Sequence, residues 1–476
     1  MTANRNVLLV SYHYPPLGGS GVQRAVKLAR YLPQAGWGVH VLTAGHRHYP
    51  LLDPSLSAEP SEGADGPLTH DGVRVHRVLG FEPGGIAASA TRWLRRFEGP
   101  RRGATAARRP PRASLEDHLY WRLQSWCDHL RIPEAEVLWV RAAVRAARRI
   151  IQEHNIDVVL TTSPPHSIQR VGLALHRRTG LPWIADLRDP ILDNFDYQPA
   201  SPRADRYWRR LERDVVTNAA RVVVTCPDLI EPLRRRYPDV SASKFVTITN
   251  GYDPADLPMD HPRSNIRRPT GRFVLGYVGS FYGRQTIEPI LTAMRRLISV
   301  RPDIAGRIEL RVVGSISARL RELLHNTDDA FLRLVGYRPH AESLEQMAAA
   351  DALFLMTPAN EGGRLCIPAK AFEYLAFGEH VIALVHERST TSRILRKAGN
   401  VTLVSHGDSS QLVRAIEQSY EAWLRGAMPS PRCREAVEQH RRDRLARHYA
   451  EVLENCLSVA QEAEPMAEPC AAWGAA

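Results

Sequence analysis

The sequence predicts an α/β chain of two doubly wound, Rossmann-like domains facing each other across a cleft. Three observations predict it. Short continuous apolar runs such as Val7-Leu8-Leu9-Val10 alternate with helix-length amphipathic stretches, which suits parallel strands buried on both faces. The first strand runs through a glycine-rich loop into a helix and a second strand, and the same order begins again near Phe273. At 476 residues the chain is too long for one core and fits two domains of roughly 200 residues each.

The elements follow in order. After the first strand, Pro15-Pro16-Leu17-Gly18-Gly19-Ser20-Gly21 is a turn-rich loop at the strand's carboxyl end. Val22, Val26, Ala29 and Leu32 then mark one face of a helix, Pro33 and Gly36 stop it, and Val39-His40-Val41-Leu42-Thr43 is the next strand. Open α/β sheets bind ligands at that edge, and glycine there lets backbone N–H groups approach a phosphate; a tight turn without a ligand explains the loop about equally well. A strand at 73–78 precedes an insertion at about 84–113, rich in Arg, Ala, Gly and Pro. A solvated basic loop is its simpler explanation. Trp93, Leu94 and Phe97 among the arginines keep peripheral contact with an anionic membrane open.

A helix at about 134–153 leads to a strand at 158–162, then to Ser163-Pro164-Pro165-His166-Ser167. The strand Trp183-Ile184-Ala185-Asp186 ends in Leu187-Arg188-Asp189-Pro190. The glycine loop, His166 and the Asp186–Arg188–Asp189 group thus gather at one sheet edge, which favours a binding cleft. Strands at 222–225 and 245–248 and the turn Asn250-Gly251-Tyr252-Asp253 complete an amino-terminal domain, taken as 1–262. The second domain, taken as 270–430, opens with the strand 273–279 and the loop Ser280-Phe281-Tyr282-Gly283-Arg284. Further strands are expected at 308–313, 332–335, 352–356, 381–384 and 401–404. A long amphipathic helix at 432–461 is expected to pack back on the first domain, and 462–476 reads as a disordered tail.

Composition narrows the partners. The net charge is +12, yet lysine occurs only at 27, 244, 370 and 397, so the arginine excess carries less weight than a lysine inside a motif. The basic residues form no module interleaved with base-stacking aromatics, which argues against nucleic acid. Six scattered cysteines without a C-x-x-C pair indicate neither a disulfide frame nor a zinc site. No apolar stretch approaches the roughly 20 residues that span a bilayer, and Met1 leads directly into a strand without a signal peptide. A cytoplasmic location is expected, at the inner face of the membrane if the insertion docks there.

The most informative stretch is Ile367-Pro368-Ala369-Lys370-Ala371-Phe372-Glu373-Tyr374-Leu375-Ala376-Phe377-Gly378. It reads as a helix with Pro at its first turn and a Gly stop. Lys370 and Glu373, three apart, share a face near the helix start. Cation and helix start attract phosphate, while the carboxylate accepts hydrogen bonds from sugar hydroxyls. Alone, such a pair is more often a surface ion pair on an ordinary helix.

The order of these motifs resembles the retaining glycosyltransferases of family 4, which have the GT-B fold, over about residues 6–460. The resemblance implies a nucleotide-diphosphate sugar on the carboxy-terminal domain and a glycan or lipid-linked acceptor mainly on the amino-terminal one. It implies Glu373 on the donor's ribose hydroxyls, Ser280 at the donor, and the loop of Gly18, Gly19 and Gly21 approaching the donor phosphates or the acceptor. Glu361 joins the donor site if it substitutes through loop geometry for the family's first Glu, and otherwise sugar-hydroxyl recognition differs here. Arg284 and Lys370 would neutralise the departing diphosphate, and His166 or Asp186 would orient the acceptor hydroxyl. It implies no cofactor and catalysis without a metal ion. Sugar would move to an acceptor hydroxyl with anomeric retention, in cell-surface polysaccharide or glycolipid biosynthesis.

Two departures stand out. The family often has a second Glu eight positions before Glu373; here that position is Leu365, with Glu361 four residues early. The family's strand-end loop usually carries Arg directly after Gly; here it is Ser280. A nucleotide-sugar epimerase on the same scaffold, and a non-catalytic nucleotide-sugar-binding paralogue, are the alternative readings. Asp186 and Asp189 also have a structural alternative, as partners of Arg188 that fix its loop.

Overall fold

A computed structural model of the chain describes residues 5–45, 51–56, 73–79, 134–257, 271–281, 285–325, 329–427 and 433–463. The Arg-rich insertion, Arg284 and nearly all of the expected tail lie outside the described residues.

The described chain builds two parallel sheets. The first holds β1 (Arg5–Ser11), β2 (Trp37–Gly45), β3 (Arg74–Leu79), β4 (Val158–Ser163), β5 (Trp183–Leu187), β6 (Arg221–Val224) and β7 (Phe245–Thr247). Their spatial order is β3-β2-β1-β4-β5-β6-β7. The second holds β8 (Phe273–Val278), β9 (Ile308–Val313), β10 (Leu332–Gly336), β11 (Ala352–Met356), β12 (His380–Leu384) and β13 (Val401–Val404), in the order β10-β9-β8-β11-β12-β13. In both, the order reverses beside the first strand, between β1 and β4 and between β8 and β11. The crevice at such a switch point, outside the strands' carboxyl ends, is where open α/β sheets take ligands.

Each sheet is covered on both faces, which is why its central strands are uninterrupted apolar runs. Leu8 and Val10 face a layer that includes Trp139, Ala143, Leu175 and Trp183. Val7 and Leu9 face the opposite layer, in which Ala25 and Leu28 meet Ala446, Tyr449 and Leu453. The helix Arg442–Ala463 therefore packs on the first domain, against the helix Ser20–Tyr31, although it follows the second domain in sequence.

The single helix expected at 432–461 is instead two, Arg434–Glu438 and Arg442–Ala463. Between them the backbone pairs with Tyr252. The Tyr252 N–H donates to the His440 carbonyl (3.1 Å), and the Arg442 N–H donates to the Tyr252 carbonyl (2.9 Å). Gly251 permits this approach, since a Cβ there would lie 2.0 Å from the His440 carbonyl oxygen.

Close packing also fixes Gly172, whose helix Gln169–Thr179 lies against Trp183 of β5. A Cβ at 172 would stand 2.0 Å from the indole nitrogen. That nitrogen donates to Thr161 Oγ1 (2.8 Å), so it cannot yield freely. Gly172→Ala is expected to destabilise the first domain by about 1–3 kcal/mol through overpacking, read as a lower midpoint in urea unfolding with unchanged slope.

Buried histidines couple stability to pH. Burial holds His380 and His440 down at about 4, and burial together with nearby His386 does the same to His406. The unfolded chain binds these protons near the ordinary value of about 6.5 and the native state does not. Stability is expected to be full above about pH 6.5, to fall as pH drops through that value, and to stop falling from this source near about 4. Thermal melts between pH 7.5 and 4.5 check it.

Candidate active site in the interdomain cleft

The carboxyl ends of the two sheets face each other across a cavity of about 470 Å³. The first domain contributes Gly19, Ser20, Gln23 and Asp189. The second contributes Tyr277, Ser280, His340, Lys370 and Glu373, and Arg442 enters from the start of the last helix.

Lys370 and Glu373 stand on the helix Ala369–Phe377, which begins after Pro368 and ends at Gly378 in the left-handed region (φ 77°). The Lys370 ammonium sits 3.4 Å from the centre of the Tyr277 ring. Gly279 makes room for it, since a Cβ there would lie 2.8 Å from Nζ. Among the described residues the ammonium has no ion-pair partner, only this ring face. Burial drives its pKa well below the ordinary lysine value, and Cys366 and Glu373 pull it back only in part.

Glu373 Oε1 is held by His340 Nε2 at 2.9 Å. Its other oxygen has no hydrogen-bond partner among the described residues, and the residue lines the cavity. Burial opposes protonation of His340, but the Glu373 hydrogen bond and the charges of Glu373 and Asp256 outweigh it and raise its pKa. The His340 backbone N–H donates to Asp53 Oδ2 (2.8 Å), tying the second domain to the first.

The other expected site residues divide. Gly19 lines the cavity, and with φ 100° it caps the helix Ser20–Tyr31 in a conformation suited to glycine. Gly18 serves the domain contact, since a Cβ there would meet the Tyr337 hydroxyl at 2.1 Å. The Gly21 carbonyl accepts from Arg188. Ser280 lines the cavity, its Oγ accepting from the Ser315 N–H (3.1 Å). Glu361 lies outside this cavity, exposed, on the short helix Glu361–Arg364, paired with Arg364 at 3.1 Å.

Asp186 does not face the cleft surface as a catalytic group should. It is fully buried, and Arg24 donates to both of its oxygens, Nε to Oδ2 and Nη2 to Oδ1, each at 3.0 Å. Thr162 Oγ1 adds a bond to Oδ2 at 2.7 Å. Arg24 also donates to the carbonyls of Ile248 and Thr249 (both 2.8 Å) and to the Tyr449 hydroxyl (2.6 Å). Asp186 thus anchors a hub that joins the glycine-loop helix, β5, the exit of β7 and the last helix. Nor is Arg188 its partner. Arg188 donates to the carbonyls of Gly21, Ser163 and Pro164. Asp189 is left facing the cavity, its pKa raised by burial against the pull of Arg188.

His166 lies at the carboxyl end of β4 but does not line the cavity. Its Nδ1 is 3.3 Å from Ser163 Oγ, and its ring meets Trp208 edge-on. Burial, then the charge of Arg188, lowers its pKa to about 4, so the imidazole is neutral at pH 7.

Sequence reasoning missed His340, Tyr277 and Arg442. His340 follows β10 after a Pro, the same strand–loop–helix signal that marked the other edge loops. Tyr277 lies inside an apolar strand and gave no signal. Arg442 reaches the cleft only because the last helix turns back at Tyr252. Burial, then Arg24, lowers its pKa to about 10, so it stays charged at pH 7.

Comparison with known proteins fits this geometry. Residues 19–251 match the glycosyl transferase 4-like domain. Over 284 residues the chain is 25% identical to the probable glycosyltransferase WbjE of Pseudomonas aeruginosa, covering 58% of this chain and 69% of that one. Sucrose-phosphate synthase from Thermosynechococcus elongatus superposes with a TM-score of 0.59 at 18% identity, over 96% of this chain and 97% of that one. HepE from Anabaena, in complex with UDP-glucose, gives 0.52 at 14% identity, over 96% and 98%. Residues 19–251 are thus similar to the glycosyl transferase 4-like domain, and the chain as a whole has the GT-B fold.

Proposed function

We propose that the enzyme takes its sugar from a nucleoside diphosphate donor held on the carboxy-terminal domain and passes it, with retention at the anomeric carbon, to an acceptor hydroxyl. The observation that carries this reading is the Lys370–Glu373 helix. Lys370, without a counterion among the described residues, and Glu373, with one unpaired carboxylate oxygen, line the same cavity from adjacent turns. The first suits a diphosphate and the second suits sugar hydroxyls. The HepE complex with UDP-glucose supports a nucleotide-sugar donor for a chain of this fold.

In this reading Lys370 and Arg442 stabilise the charge that develops on the departing diphosphate, without a metal ion. Arg442 is buried and Lys370 half-buried, and the desolvation of both is relieved when the dianion arrives. The acceptor enters from the Gly19–Ser20 side, where Asp189 accepts a hydrogen bond from its hydroxyl and orients it. Its proton passes to the leaving phosphate oxygen, so the chain needs no nucleophile of its own. The acceptor is a phosphorylated or lipid-linked glycan of the cell surface, in keeping with the net charge of +12. Among the described residues no helix is long and apolar enough to cross a membrane, so any membrane contact is peripheral in this reading.

Proton NMR of the product tests the stereochemistry. From an α-linked nucleotide sugar, the reading expects an α-glycoside as the first product; a β-glycoside would contradict it.

A further inference from the structure

Three histidines converge at the end of the first sheet opposite the cleft. His40 is on β2, His76 is on the neighbouring β3, and His154 closes the helix Val140–His154 that leads into β4. His40 Nδ1 and His76 Nε2 are 3.2 Å apart. The His154 ring centre is 4.5 Å from that of His40 and 5.5 Å from that of His76. One ring nitrogen from each of the three lies within 4.8 Å of the other two.

We infer that these three imidazoles form a binding site for a divalent transition-metal cation of the zinc class, separate from the sugar-transfer site. Tetrahedral zinc with Zn–N bonds of about 2.0–2.1 Å sets its nitrogens about 3.4 Å apart. The His40–His76 pair already has that spacing, and His154 must close by at most about 1.4 Å to complete three ligands. Water would take the fourth position.

The surroundings agree with this chemistry. Metal ligation needs neutral imidazole. Burial, then the neighbouring histidines and Arg74, holds His40 down at about 4, and His76 is lowered for the same reasons against a pull from Glu153. Both shifts run toward the neutral form; the facing nitrogens of His40 and His76 share one hydrogen bond, whose proton must move to another ring nitrogen or leave when a metal binds. His154 lies in the last turn of its helix, where the carbonyl ends favour a cation. One group opposes it. Arg74 Nη1 lies 3.2 Å from His154 Nδ1, but Arg74 is exposed and can swing into solvent when a metal takes that lone pair. The site would tie the edge strand β3 to β2 and to the helix behind them, an anchoring role independent of catalysis.

Calorimetric titration of the full-length chain, without an affinity tag and stripped with EDTA, tests this with Zn²⁺. One Zn²⁺ should bind per chain and raise the melting temperature. Co²⁺ in its place should show the visible bands of a four-coordinate ion. His154→Ala and His76→Ala should each weaken Zn²⁺ binding at least tenfold. His154 is half-exposed, so His154→Ala should melt like the parent chain when metal is absent. Arg74→Ala should bind at least as tightly as the parent. No stoichiometric binding, or binding that both histidine variants leave unchanged, would overturn the assignment.

Discussion

Lys370→Met is expected to lower the rate of sugar transfer by about 10²–10³, the cost of removing one preorganised charge from a developing anion. The same change should leave the melting temperature unchanged or raise it. The two effects part company because Lys370 is a half-buried cation, with no carboxylate partner among the described residues and the Tyr277 ring at 3.4 Å. A cation–ring contact returns about 0.5–2 kcal/mol, whereas desolvating an ammonium costs several. Desolvation wins, which is why burial pushes the Lys370 pKa down. On the proposed function, the residue costs stability in the free chain and acts when an anion arrives. Because that pKa is depressed, donor affinity should weaken with rising pH well before the ordinary lysine value of about 10.4. Transfer rates, melting curves and donor affinity against pH check all three statements. A large loss of stability in Lys370→Met would mean that the ammonium has a structural partner instead.

Asp186→Ala is expected to be at least as damaging, for the opposite reason. It leaves Arg24 buried, 2% exposed, without the carboxylate that holds its guanidinium by two 3.0 Å bonds. Breaking one side of a buried pair costs about 3–5 kcal/mol, which lowers the melting temperature of a domain this size by on the order of 10 °C. Transfer activity should be lost with the fold. Arg24 also binds Tyr449 of the last helix, so that helix should detach first, seen as early hydrogen exchange in Arg442–Ala463. Asp186→Ala that folds normally and loses only turnover would restore Asp186 to the mechanism.

The two predictions show what the sequence could reveal and what it could not. The strand runs, the edge loops and the Lys370–Glu373 helix were legible because periodicity and turn chemistry are local. The two sheets sit where those runs place them, and Lys370, Glu373, Gly19 and Ser280 meet in one cavity. What a buried carboxylate pairs with is not local. Asp186 and Arg188 are two apart in sequence, yet Arg24, 162 positions away, takes both oxygens of the Asp while Arg188 binds carbonyls. The break at 439–441 depends likewise on Tyr252, far away in the chain. Arg442 reaches the cleft only through that break. Of the four lysines, Lys370 lines the cavity and Lys27 joins two carboxylates. Lys27 bridges Asp253 (2.7 Å) and Asp256 (2.5 Å) between the first helix and the interdomain segment.

The central claim is that the Lys370–Glu373 helix holds the donor nucleotide, and a thermal-shift titration tests it most directly. The parent chain and Glu373→Ala would be titrated side by side with UDP, GDP, ADP, dTDP and CMP. The account predicts that one nucleotide raises the parent's melting temperature in proportion to its saturation, and that Glu373→Ala abolishes the shift. No shift with any nucleotide, or an equal shift in the variant, would contradict it.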